Sequence, residues 1–352
     1  MLENASVTPL SEYGEFGLIE VLTKNIQLKN KSSVLGVGDD AAIINTQNRL
    51  QVISKDLLIE GVHFDVRYFP LKHIGYKAIA SNLSDIAAMN AKPEQVLVGI
   101  AVSSRYTVEA IEEIYQGMYL CCERYGVDMV GGDTTSSLSG LCISITVLGY
   151  ADSKQIVKRS TANTHDLICV SGDLGAAYMG LLILEREKKV YLDNPNNQPD
   201  LEGFDYLLER QLKPEPRLDI VKALRENNIL PTAMIDISDG LASEIIHICK
   251  NSKKGCCLYE DKIPIDTLTY DTAMDFQLIP STIALSGGED YELLFTIKQD
   301  DFEKIKQVKD VTVIGHITDE NEGYHLITND KKSIPIKAQG WDAYLNKDRI
   351  MP

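Results

Sequence analysis

The chain is poor in basic charge. Its 35 Lys and Arg stand against 51 Asp and Glu, a formal charge of −16 over 352 residues. That balance argues against a surface built to hold nucleic acid or an anionic membrane. Long apolar runs are also missing, and no stretch approaches the roughly 18 residues of a membrane span. The opening residues, MLENASVTPLSEYGEFG, lack the basic-then-apolar layout of an export signal, so no export is expected. The 7 cysteines contain no CxxC pair, while Cys121-Cys122 and Cys256-Cys257 are sequence neighbours. This argues against a disulfide framework or a zinc site and for reduced thiols in the cytoplasm. No GxxxxGK[ST] occurs, which excludes a P-loop as a phosphate cradle.

What is present is an ordinary globular balance, 44% hydrophobic and 24% charged residues. The length predicts two domains. The polar stretch Ala151–Lys158 marks the expected boundary, giving a tail at 1–12, a first domain at 13–150 and a second at 151–352. Periodicity predicts helices near Glu15–Leu28, Tyr76–Met89, Val108–Tyr125 and Leu241–Lys250. Strands are expected at Val34–Val37, Ala41–Ile44, Leu50–Ser54, Leu141–Tyr150, Leu167–Val170, Ala233–Ile237 and Tyr291–Ile297. Gly131-Gly132 is read as a break in a short strand. Helices and strands intermix, so the class is α/β or α+β.

The segment Gly36-Val37-Gly38-Asp39-Asp40-Ala41 mimics a dinucleotide fingerprint, but a strand-like run follows where the helix should begin. What recurs instead is aspartate beside glycine or at strand ends: Asp39, Asp40, Asp56, Asp85, Asp133, Asp236 and Asp239. Singly, each reads as a turn or cap residue. Asp85 says more. It lies opposite the stripe Ile79, Leu83, Ile86, yet its own face carries Ala78, Ser81, Ala88 and Met89 and no basic side chain. Small residues on both faces mean packing on both faces, so Asp85 is expected in an enclosed polar site. An enclosed carboxylate needs a partner, and scattered oxygen ligands suit Mg²⁺.

In series, GEFGLI, GVGDDAA, S-x-D-x-L-x-x-GVHF, YKAIASNLSDIAAM, GGDTT, KRSTA, IDISDGLASEI, SGGEDYEL and GWDAY resemble the thiamine-monophosphate kinases. These belong to a superfamily with aminoimidazole-ribonucleotide synthetase, and the likeness runs from about Gly14 to Tyr344. It implies a two-domain synthetase-like α/β fold whose N-terminal sheets pair in a homodimer. It also implies several Mg²⁺ ions, ATP as co-substrate and thiamine monophosphate as acceptor. By the same resemblance Asp40, Ser54, Asp56, Asp85, Asp133, Asp236 and Asp239 look like magnesium ligands, with Lys55 inside that run. Tyr115, Gly132, Asp133, Arg159 and Ser238 look like ATP contacts, and His63, Glu289 and Trp341 like acceptor contacts.

The residues also admit blander readings. Tyr115 lies on an apolar helical stripe, and Trp341, the single tryptophan, suits a cap over the core. Lys55 departs from the threonine frequent in the family. An extended backbone points it away from Ser54 and Asp56, leaving its ammonium in water or in the place of an ion. Asn90 stands where glycine is usual and tolerates a left-handed backbone. A phosphate acceptor with a second pKa near about 6 is a dianion at neutral pH, so no general base is expected. Two alternatives stay open: another ATP-using synthetase of the superfamily, and a non-catalytic Mg²⁺–nucleotide binder.

Overall fold

The computed structural model of the chain describes residues 33–35, 38–40, 42–46 and 49–338. The expected helix at 15–28, the tail at 1–12 and Trp341 lie outside the described residues. A first sheet is built from β1 (Ser33–Leu35), β2 (Ala42–Thr46), β3 (Arg49–Ile59), β4 (Lys92–Val102), β5 (Asp128–Ser136) and β6 (Cys142–Ala151). Their order is β1-β2-β3-β6-β4-β5, antiparallel except for the β4–β5 pair. Strand alternation sets the two faces of this sheet. On β3, Val52, Ser54 and Leu58 are buried, while Lys55, Leu57 and Ile59 on the alternate positions are exposed.

Helices α1 (Leu71–Ala88) and α2 (Val108–Tyr125) cover the buried face. The predicted span of α2 is the observed one. Thr107 accepts from the Ala110 N–H at 3.3 Å to open it, and Gly126 at φ 65° closes it. The two helices meet backbone to backbone: a Cβ on Gly117 would fall 1.8 Å from the Lys72 carbonyl oxygen. Gly131-Gly132 does not break a strand, contrary to expectation. β5 runs through both glycines, with a register shift in the pairing so that Val96 faces Met129 and Leu97 faces Gly131. Glycine is needed at 132 because a Cβ there would meet the Val98 carbonyl oxygen at 1.8 Å.

A second sheet holds β7 (Leu167–Ser171), β8 (Ala233–Asp236), β9 (Lys254–Tyr259), β10 (Leu293–Ile297), β11 (Val311–Asp319), β12 (Tyr324–Ile327) and β13 (Ser333–Pro335). Its order is β13-β12-β9-β11-β7-β10-β8. Helices α3 (Ala176–Asp193), α4 (Asp205–Leu212), α5 (Leu218–Glu226) and α6 (Leu241–Ser252) pack around it. The mixed α/β class is the one expected. β10 starts two residues later than predicted because Glu289 and Tyr291 have φ 59° and 52°, a conformation that ends an extended run. Among the described residues, no helix is long and apolar enough to cross a membrane.

α1 joins the two halves. Ile79, Leu83 and Ile86 enter the first core, while Ala87 and Ala88 pack with Met234, Leu293 and Phe295 of the second. A helix apolar on nearly every side is a buried helix.

Candidate active site

Five segments converge where α1 passes the end of β8. The buried face of β3 brings Ser54 and Asp56, the last turn of α1 brings Asp85, and the end of β8 brings Asp236. The segment before β2 brings Asp39 and Asp40, and the connection between β6 and β7 brings Arg159. Carboxylate oxygens of Asp40, Asp85 and Asp236 all lie within 4.8 Å of one another. The Ser54 hydroxyl donates to Asp85 and, at 3.4 Å, to the Asp40 carbonyl oxygen. Ser84 donates to Asp236 at 2.6 Å. One carboxylate oxygen of Asp40 is buried without a hydrogen-bond partner.

Burial and mutual repulsion shape the titration of this group. Asp40 and Asp85 are pushed well above the usual carboxylate range, first by desolvation. Asp85 also feels Asp56, Asp236 and Asp40. Asp56 is pushed up to about 6 by burial and by Asp236. A cation does stand nearby, which the helix face of Asp85 did not reveal. Arg159 pairs with Asp40 and, at 3.4 Å, with Asp39, whose carboxylate also accepts the Arg159 N–H. Lys55 is absent from this cluster: alternation along β3 sends its side chain to the opposite, exposed face.

The turn after β8 carries Ser238 and Asp239. The Asp239 N–H donates to Glu244 at 3.0 Å, and Glu244 is buried with one oxygen unpartnered. Sequence reasoning passed over Glu244, although an acid in the first turn of α6 is a recognisable anchor for the turn before it. A second polar group joins α1 to the segment before β10. Glu289 is held on both oxygens, by Lys77 at 2.9 Å and by Gln211 at 2.9 Å. Lys77 is 2% exposed and also donates to the Gln211 carbonyl oxygen. His63 stands at the exposed rim, near enough to Glu289 and Lys77 for both to act on its charge, and its Nδ1 accepts the Ile59 N–H. Lys77 was missed as well. Its signal was a lone lysine in an otherwise apolar stretch of α1.

Three expected residues stand apart. Gly132 and Asp133 lie on β5, an edge strand exposed over most of its length, and Tyr115 contacts Thr134 from α2. Following the register Leu57–Ser144–Gly99–Asp133 across three strand spacings sets Asp133 about 14 Å from β3. A groove of about 580 Å³ beside Arg49, Lys92 and Arg225 holds none of the expected residues.

The acidic cluster between two mixed sheets marks the class: residues 38–151 match AIR synthase related protein, N-terminal domain. A thiamine-monophosphate kinase of Buchnera aphidicola subsp. Schizaphis graminum is 37% identical over 340 residues, covering 95% of this chain and all of that one. One from Bacillus subtilis is 32% identical, covering 94% and 99%. The solved structure of AaThiL complexed with AMPPCP and TMP superposes with a TM-score of 0.82 at 30% identity, covering 96% of this chain and 100% of that one. The chain belongs to the thiamine-monophosphate kinase family and is a kinase.

Proposed function

We propose that this chain is a cytoplasmic kinase that transfers the γ-phosphoryl group of ATP directly to the phosphate of thiamine monophosphate, giving thiamine diphosphate. The observation that carries the reading is the convergence of carboxylate oxygens of Asp40, Asp85 and Asp236 within 4.8 Å of one another. Relatives named for this activity, and a solved relative holding AMPPCP and TMP, support it.

The donor set fits Mg²⁺. Three crowded carboxylates, a hydroxyl and one buried, unpartnered carboxylate oxygen are hard oxygen ligands without enough positive charge to balance them. Asp40, Ser54, Asp56, Asp85 and Asp236 would hold several ions, with Asp239 adjoining and Lys55 left out by its direction. When bound, the ions neutralise charge on the phosphate oxygens. The chain's own part is alignment. Arg159 fixes Asp39 and Asp40, Ser84 orients Asp236, and His63 and Glu289 receive the acceptor, with Trp341 assigned there by resemblance. The acceptor phosphate is itself the nucleophile, so no side chain acts as base.

Tyr115, Gly132 and Asp133 belong to the ATP site in this reading, yet they sit three strands from the cluster. We infer a homodimer in which they serve a partner's site. The exposed edge strand β5 and the exposed Leu57, Ile59 and Leu97 support a face that is covered in the working protein. The test is mass detection of thiamine diphosphate from purified protein, ATP and Mg²⁺, abolished by EDTA. Phosphorylation of no acceptor would leave a nucleotide binder, and turnover with formylglycinamide ribonucleotide instead would leave a synthetase.

A further inference from the structure

Three unfavourable features meet at one carboxylate. Glu289 has a left-handed backbone, φ 59°, which a residue other than glycine keeps only where its surroundings dictate it. Lys77, bonded to it at 2.9 Å, is a lysine taken almost wholly out of water. Gln211 donates to the other Glu289 oxygen at 2.9 Å and is 2% exposed. Its own side-chain carbonyl oxygen is buried with no hydrogen-bond partner among the described residues. A buried amide normally satisfies both ends, and leaving one empty lowers stability. What the three features share is the direction of the Glu289 carboxylate.

The frame is built from separate elements. The end of α4 grips residues 289–292 twice, through Gln211 on Glu289 and through Arg210 on Glu292 at 2.8 Å. The Gln211 backbone carbonyl, among the last of α4 and so without a helical partner, accepts from the Lys77 ammonium at 3.1 Å. That ammonium also lies 5.4 Å from the centre of the Phe69 ring. Lys77 therefore joins α1, α4 and the segment before β10. The Glu289 side chain itself is 31% exposed, the open end of a buried frame. Each of its oxygens has one protein donor and keeps a lone pair for a ligand. Because Lys77 cancels its charge, Glu289 selects by direction rather than by net charge.

We propose that Lys77 and Gln211 are positioning residues for acceptor binding, which aim the Glu289 carboxylate without touching the acceptor themselves. This rests on the reading that thiamine monophosphate is the acceptor and that Glu289 receives it. The test measures KM for thiamine monophosphate and for ATP, kcat and the melting temperature in Gln211→Met, Glu289→Gln and the double variant. Gln211→Met keeps the volume and removes the donor together with the unpartnered oxygen, so the melting temperature should hold. KM for thiamine monophosphate should rise about fivefold to tenfold, the effect of one lost hydrogen bond to a charged group, with kcat and KM for ATP unchanged. In the Glu289→Gln background the same substitution should add nothing, because its effect passes through the carboxylate. Should Gln211→Met fail to fold, Gln211→Glu, which keeps the volume and loses the donor, is read in the same way. An unchanged acceptor KM, an equal rise in KM for ATP, or a full additive effect in the double variant overturns the proposal, while wild-type turnover keeps the kinase reading intact. A wild type that forms no thiamine diphosphate removes that reading and this proposal together.

Discussion

Neutralising Asp85 should make the metal-free protein more stable and the enzyme inactive. Three carboxylates whose oxygens approach within 4.8 Å repel one another. At an effective dielectric of about 20, each fully charged pair costs about 3.5 kcal/mol. Asp85→Asn removes two of the three pairs, and its amide oxygen still accepts from Ser54. The gain is smaller than the full sum, because burial and repulsion already hold Asp40 and Asp85 well above the usual range and so favour their neutral forms. About 1–3 kcal/mol remains, or roughly 1–4 °C in Tm for a protein of this size. The sign with pH follows from linkage. These carboxylates are raised in the folded state, so the stability they confer is present below about pH 4 and lost as pH rises through their folded values. The advantage of Asp85→Asn should therefore grow from pH 5.5 to pH 8. Thermal unfolding in EDTA and in millimolar Mg²⁺ reads all of this: wild type gains from Mg²⁺, the variant gains much less, and turnover is lost. A variant that melts lower than wild type in EDTA at pH 8 would refute the reasoning.

Further outcomes test other parts of the site. Gly117→Ala drives a Cβ into the Lys72 carbonyl at 1.8 Å, so the two helices must separate. Stability should fall by about 2–4 kcal/mol, with acceptor KM rising because Lys77 and Asp85 ride on α1; denaturant unfolding and initial rates check both. Burial pushes Asp290 up to about 7, so its contribution to stability is lost as pH rises from about 4 through 7. Asp290→Asn should flatten the Tm–pH curve over that window, and parallel curves would contradict it. If Tyr115, Gly132 and Asp133 serve a partner's site, mixing Asp85→Asn with Asp133→Asn after subunit exchange should restore about a quarter of wild-type activity. Each variant alone should stay inactive, and a mixture that stays inactive would put both halves of the site in one chain.

How far the sequence was legible depended on the range of the interaction. α2 is fully specified by local signals, a threonine cap, an apolar stripe and a terminal glycine, and its observed bounds match them. The enclosure of Asp85 was readable because small residues around a helix can only mean packing on both sides. Arg159 was named by resemblance as an ATP contact, whereas its grip on Asp39 and Asp40 depends on a connection about 120 residues away closing over the segment before β2. No periodicity encodes that. Gly131-Gly132 misled for a related reason: a glycine pair usually weakens a strand, and only the neighbouring Val98 carbonyl shows why glycine is required within one. Nor does a strand's own sequence say whether it lies at a sheet edge. Gly132 and Asp133 therefore could not be separated from the cluster before the strand order was known.

By the same convergence, stability and activity are expected to oppose each other here. Asp85 and Asp236 come from elements held in the two cores, with α1 buried in both, and Asp40 comes from the segment before β2. The backbones that carry Asp85 and Asp236 cannot retreat to relieve repulsion without opening a core, so the strain falls on the side chains as raised proton affinity. Protonation, Arg159 and a divalent ion are three ways to discharge it. Arg159 makes its ion pairs with Asp39 and Asp40 and acts on Asp236 and Asp85 without pairing with them. A site that was fully neutralised by its own arginines would be more stable and would have no remaining demand for cations. In the proposed reading, the partial pairing is what leaves charge for a divalent ion to balance.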